Sequence, residues 1–253
     1  MKRQLSVIMI LLLANFIGFA IIIPVLPVVL EYTGKANDHL AWMLALYSAV
    51  SFVMSPIWGA WSDRIGRRPI IMTGMLGFSF SFLLFGLAGE QLWLMYISRL
   101  IGGLFSGAVT SCAVAYVADI TSDEERTNGM GLVGMSIGLG FVIGPAVGGL
   151  LSYWGNNVPF FASSALALLG WAFAAKWLPE SKRPAPAGAA GQASGVKVSR
   201  WRAFQGVLKY LYVLSFLVSF TLAGLEAVFQ LFQQDKIGLD SVGAGFMFLA
   251  NGI

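Results

Sequence analysis

Apolar residues along this chain do not alternate with polar ones. They run on for roughly twenty residues at a time, the length at which a helix crosses a bilayer core. Such runs fall at 5–30, 40–61, 70–88, 92–117, 129–152, 159–178 and 206–232, and an eighth begins near Ser241 and reaches Ile253. Each reads as a membrane-spanning helix. The opening MKRQLSVIMILLLANFIGFA has the basic start and apolar centre of a signal peptide. Its apolar run continues through IIIPVLPVVL without a small-residue cleavage site, so it is taken as the first span. Short connections, GEQ at Gly89 to Gln91 and SDRIGRRP at Ser62 to Pro69, force sequential helices to lie antiparallel. Leu178 to Gln205 changes texture to Pro, Ala, Gly and Ser with scattered positive charge, the composition of a flexible linker. The pattern predicts an all-α integral membrane protein. Residues 1–178 form a six-helix bundle, 179–205 a cytoplasmic linker, and 206–253 the start of a second, truncated bundle: helix 7 and the beginning of helix 8.

Composition narrows the class. Of the 253 residues 57% are hydrophobic and 11% charged, against about 25% charged in a typical soluble domain. A formal charge of +4 suits a nucleic-acid partner, but its distribution argues against one. Lys2, Arg3, Arg64, Arg67, Arg68, Arg126, Lys176, Lys182, Arg183, Lys197, Arg200, Arg202 and Lys209 fall at one set of alternate loops and span ends. Lys35 and Lys236 fall on the other side, and Arg99 lies inside a span. By the positive-inside rule the N-terminus is cytoplasmic and the chain is a multi-pass protein of the cell's inner (plasma) membrane. Cys112 is the single cysteine and makes no intrachain disulfide. With His39 the single histidine, soft ligands are too few for a metalloenzyme. A G-x-x-x-x-G-K-[ST] phosphate loop is missing, and no metal, cofactor or enzymatic activity is expected.

Several polar residues then stand out against the apolar background. In GAWSDRIGRRP, Asp63 is a lone acid among Arg64, Arg67 and Arg68. Gly59, one turn earlier, leaves room for another backbone. Asp63 against the positive N-terminal end of a facing helix would latch two pieces together; the plainer reading is a positive-inside anchor. In the fourth span Arg99, Gly103, Ser106 and Thr110 share one helical face. An arginine in mid-membrane normally faces a cavity or a partner, or else snorkels to the interface. Asp119 closes the same span, as a gating or structural pair or a simple interfacial acid. In LGFVIGPAVGGL, Gly140, Gly144 and Gly148 recur every four residues as a small face for close helix contact, while Gly149 adds to it and Pro145 permits a kink. A static packing seam is the alternative to a moving one. In the seventh span Ser215, Ser219, Glu226, Gln230 and Gln233 share a face, and Glu226 is the one acid inside any span apart from the terminal Asp119. Desolvation raises the proton affinity of an isolated buried carboxylate, the property that proton coupling needs; a salt-bridged structural acid is the alternative. Arg99 and Glu226 each lie about six or seven residues, roughly 10 Å at the helical rise, from the outer interface.

Three of these segments resemble signatures of the major facilitator superfamily. G-A-W-S-D-R-I-G-R-R is similar to the family's loop motif after the second helix, with Trp61 where an aliphatic residue is usual. Arg99 and Gly103 resemble the fourth-helix motif, with Gly102 where Gln is common. GFVIGPAVGG carries the whole fifth-helix G-x-x-x-G-P-x-x-G-G signature associated with antiporters. YVADITSDEER and the seventh span resemble the drug exporters of the family, in particular Gram-positive multidrug and quinolone exporters of the twelve-helix drug:proton antiporter group.

The resemblance implies a major facilitator fold and export of drugs or other small amphipathic molecules in exchange for protons, hence multidrug efflux and antibiotic resistance. It implies proton coupling at Glu226 with Arg99. It implies a conformational latch at Gly59, Asp63, Arg64, Gly66, Arg67, Arg68 and Asp119, and an antiporter seam at Gly140, Gly144, Pro145, Gly148 and Gly149, suited to two halves that rock past each other. A substrate cavity is expected among the first, fourth, fifth and seventh helices, with Asn15, Tyr47, Ser106, Met135, Phe220 and Phe229 as wall residues. The partners are then a small-molecule substrate, protons, the lipid bilayer and the missing C-terminal half that transport requires. The rival readings are an exporter of sugars or metabolites on the same fold and a non-transporting scaffold or inactive truncated remnant.

Overall fold

The computed structural model describes residues 2–33, 35–181 and 208–232 with positions 243, 246, 247 and 250. The expected linker after Ser181 and most of the expected eighth span lie outside the described residues. Its elements run α1 (Lys2–Ala20), α2 (Leu26–Leu30), a 3-10 turn (Glu31–Thr33), α3 (Ala36–Ile65), α4 (Arg67–Leu87), α5 (Leu92–Ile120), α6 (Asp123–Ser152), α7 (Val158–Trp177) and α8 (Leu208–Phe232). Six of them, α1 and α3 to α7, are long and apolar enough to cross a membrane. The chain divides into two units, residues 1–184 with 241–253, and residues 185–240.

The expected first span of 5–30 is two helices rather than one. Pro24 and Pro27 carry no N–H, so the helical partners of the Ala20 and Ile23 carbonyls are lost. The Ile23 N–H turns back to the Ala20 carbonyl at 3.1 Å, and helix resumes at Leu26. Elsewhere helices outrun the apolar windows. α6 starts at Asp123 rather than 129 because Ser122 caps it, its hydroxyl accepting from the Glu125 N–H at 3.4 Å, with Asp123, Glu124 and Glu125 in the first turn. Capping sets where a helix begins, whereas hydropathy marks where the membrane does.

In the first unit α3 packs along α5 and α6 along α1, while α4 packs on both α5 and α7. These pairings relate α1, α3 and α4 to α5, α6 and α7, a repeat within the bundle. Small residues line the two matched seams. A Cβ at Gly103 would lie 2.7 Å from the Tyr47 carbonyl oxygen on α3, and one at Gly144 would lie 2.5 Å from the Cβ of Ala20 on α1. Across α4 and α7, Ser79 and Ser164 exchange hydrogen bonds, each hydroxyl donating to the other's carbonyl at 2.9 and 2.8 Å. Two apolar clusters stack along the bundle. One is built around Leu11, Met75, Val109 and Tyr116, the other around Leu26, Met43, Phe82 and Phe160. In the second unit α8 covers the seventh span, with Phe216 and Phe220 stacked at 5.9 Å.

Candidate functional site

The basic loop between α3 and α4 closes around Arg67. Gly66 ends α3 and precedes α4 at φ 114°, a left-handed conformation that side chains rarely adopt. The sharp turn brings Arg67, buried, back over the end of α3. Its Nη2 donates to Asp63 Oδ1 at 2.7 Å and its Nε to Asp119 Oδ2 at 3.1 Å, while Nη1 donates to the Ser62 hydroxyl. One guanidinium therefore joins the ends of α3, α4 and α5. Arg68 donates from Nη2 to the Ala175 carbonyl at 2.6 Å and ties in the end of α7. Arg64 is exposed, and Gly59 has open space where a Cβ would stand.

A further carboxylate besides Asp63 joins this cluster. It is Glu180, whose Oε1 accepts from the Arg67 N–H at 2.8 Å and whose Oε2 accepts from the Arg68 N–H at 3.2 Å, covering the first amides of α4. A Cβ at Gly66 would meet the same carboxylate at 2.5 Å. Tyr116 fixes this segment, donating to the Pro179 carbonyl at 2.8 Å, and Ser181 donates to Asp119 at 3.4 Å. Residues assigned to the linker from their composition are thus anchored to the bundle as far as Ser181. Sequence reasoning passed over Glu180, although it is the one acid between Glu125 and Glu226.

Three of the expected wall residues meet. Asn15, Tyr47 and Ser106 line a cavity of about 350 Å³ with Phe16, Phe19, Phe78, Phe141, Ser51, Ser55, Thr110 and Ser111. The second span, represented among the expected walls by Tyr47 alone, supplies much of it. Tyr47, Ser51 and Ser55 lie on one face of α3 and continue into a shallower recess with Ser48 and Phe52. The spacing of three and four between Ser48, Ser51 and Ser55 in SAVSFVMS was the signal. Ser106 donates to the Ser51 hydroxyl at 2.7 Å. Asn15 is 6% exposed and its Oδ1 has no partner among the described residues. Met135 lines neither recess and stands half exposed on α6. Phe220 is exposed on α8 in the second unit, and the side chain of Phe229 lies outside the described residues.

Arg99 does not face either recess. It is buried on α5 with its guanidinium over the rings of Phe85 and Phe82, 4.5 and 5.4 Å from their centroids, a cation–π arrangement. Its Nε and Nη2 find no hydrogen-bond acceptor among the described residues. The aromatic run FSFSFLLF of α4, unremarked at the level of sequence, supplies both rings. Glu226 lies on α8 and its side chain is outside the described residues.

The glycine stripe packs on α1. Cβ atoms at Gly140 and Gly144 would meet Phe16 and Ala20 at 2.5 Å, and one at Gly148 would collide with the Ile21 carbonyl. Pro145 and Gly149 are buried beside them. The close contact is thus one inside the six-helix bundle, and the ring of Phe141 from the same helix meets Phe16 and Phe19 at the cavity wall.

Known proteins share this architecture. The chain is 34% identical to multidrug resistance protein 2 of Bacillus subtilis, over 94% of its own length and 62% of that protein's. It is 36% identical to the class E tetracycline resistance protein of Escherichia coli, over 66% of its own length and 41% of that protein's. The crystal structure of the human organic anion transporter TETRAN superimposes with a TM-score of 0.75 at 25% identity, covering 99% of this chain and 69% of that one. The chain therefore spans less than two thirds of the length of the curated relatives it matches. With six bilayer-length helices, and with residues 8–253 matching the Major Facilitator Superfamily, it is a multi-pass membrane protein and belongs to that superfamily.

Proposed function

We propose that this chain is the N-terminal part of a proton-coupled antiporter that exports drugs or similar amphipathic molecules across the cytoplasmic membrane, with its N-terminus inside the cell. The observation that carries the reading is the recess of hydroxyls and aromatic rings between α1, α3 and α5, set in a chain whose relatives are named for multidrug and tetracycline resistance. Flat aromatic ligands stack on Phe19, Phe78 and Phe141 while Asn15, Tyr47 and Ser106 hold their polar edges. The Arg67 cluster acts as the inner latch, the glycine seam lets α6 and α1 shift against each other, and Glu226 takes the proton with Arg99 modulating it. The second bundle, to which α8 belongs, is needed for transport. One proton moving through 100 mV supplies about 2.3 kcal/mol, enough for roughly a fifty-fold gradient.

The test is ethidium efflux and drug-induced proton flux in vesicles carrying the whole protein. Export of ethidium with coupled proton flux is expected, with the flux lost in Glu226→Gln; flux retained in that variant removes Glu226 from the mechanism. A second reading, export of sugars or other polyhydroxylated metabolites, is favoured by one observation. Among the described residues, those lining the recess offer hydroxyls, an amide and rings, with no carboxylate to pair with a cation. Sugar counterflow without ethidium transport would select it.

A further inference from the structure

The symmetry of the bundle is broken at one place. α4 packs closely along α5, whereas the related pair, α7 and α1, is in much looser contact. A groove opens between them with a volume of about 470 Å³, lined by Ile10, Leu11 and Ala14 of α1 and, on α7, by Leu166, Leu169 and Phe173, ending at Lys176 and Trp177. Its described lining includes none of the cavity or latch residues.

Its chemistry changes along its length. From Leu166 to Phe173 the wall is hydrocarbon and aromatic ring, and Leu169 and Ile10 are exposed on it. At the end where α7 terminates, the Lys176 ammonium lies 4.8 Å from the Trp177 ring centroid, and that ring packs on Phe173 at 4.6 Å. None of the ion pairs among the described residues includes Lys176. Glu180, one turn further on, is engaged with the first amides of α4. Because α1 and α7 are antiparallel, exposed Arg3 stands at the same end. The eleven steps from Leu166 to Trp177 rise about 16 Å along the helix, close to half of a hydrocarbon core about 30 Å thick. The groove is thus one leaflet deep, apolar along its length, with a cation and an interfacial tryptophan at its mouth.

We propose that the α1–α7 groove is a binding site for one anionic phospholipid, whose acyl chain lies along Ile10, Ala14, Leu169 and Phe173 and whose phosphate is held by Lys176. A soluble amphiphile has no reason to match the leaflet depth, and a zwitterionic lipid gains little from an unpaired lysine. Basic pockets between membrane helices select anionic headgroups on these grounds, and tryptophan belongs at headgroup level.

The probe is the tryptophan fluorescence that Trp177→Phe removes, measured on the purified chain in phosphatidylcholine vesicles. These are doped with brominated phosphatidylglycerol or, at equal mole fraction, brominated phosphatidylcholine. The anionic quencher should reach half-effect at about fivefold lower mole fraction, the factor that one basic side chain near an anionic headgroup supplies. Lys176→Gln should bring the two curves together and Lys176→Arg should keep them apart. Equal half-effects for both lipids in the unaltered chain would overturn the proposal without recourse to any charge variant. So would a phosphatidylglycerol preference that survives Lys176→Gln. Helical circular dichroism identical to the parent's is the condition for reading either variant.

Discussion

A single guanidinium carries the inner end of the bundle. Arg67 is buried and meets Asp63 and Asp119, and removing it takes from two carboxylates the cation they share. Breaking a fully buried pair costs about 3–5 kcal/mol; with the Asp63 side chain 54% exposed, the expected loss for Arg67→Ala is nearer 1–3 kcal/mol after allowance for solvent screening. Arg67→Lys should lose most of this too, since an ammonium does not present the planar fork that reaches Ser62, Asp63 and Asp119 together. Thermal unfolding in detergent checks both, and a lysine variant as stable as the parent would show that charge alone holds the cluster. The acid–arginine pair was legible in the sequence because a lone acid among three arginines is conspicuous. Glu180 was not, because its partners are backbone amides 113 and 112 residues away, and a backbone donor leaves no mark in the amino-acid sequence.

At the scale of elements, length and hydropathy made the helices legible, while their neighbours had to come from packing. Gly140, Gly144 and Gly148 announced a close contact, yet a small face does not say which helix it meets. The answer, α1, follows from the bundle's internal repeat. Asn15, Tyr47 and Ser106 come together at one recess, since polar residues in apolar spans seek shared water or ligand. Met135 stands apart from it, and its chemistry, which suits lipid, core and cavity alike, gave no sign of that in the sequence. The Ser79–Ser164 exchange offers a measurable link between α4 and α7. Interhelical hydrogen bonds in membranes average about 0.6 kcal/mol and reach about 1.7. Ser79→Ala and Ser164→Ala each remove one hydroxyl and leave the other's carbonyl acceptor in place, so each should cost about 0.6 to 1.7 kcal/mol in unfolding in detergent and the two losses should roughly add. No loss in either variant would mean that packing alone joins the two helices.

On the scale of the molecule, among the described residues both apolar clusters are built from positions 5 to 178, and the Glu180 side chain caps α4 just beyond them. A chain ended after Pro184 should therefore keep a cooperative thermal transition in detergent while losing transport altogether. A broad, non-cooperative melt would show that the first bundle depends on the second for its stability. The pairing of α1 also sets the order in which a ribosome can build the bundle. α1 ends at Ala20 and its seam partner α6 begins at Asp123, so roughly a hundred residues must be made before the two can meet, about 5–20 s at ordinary elongation rates. Throughout that interval Asn15 and the face of α1 that α6 will cover, with Phe16 and Ala20, wait in the insertion machinery or the surrounding lipid. The pace of translation through α3, α4 and α5 thereby becomes a determinant of how much protein matures.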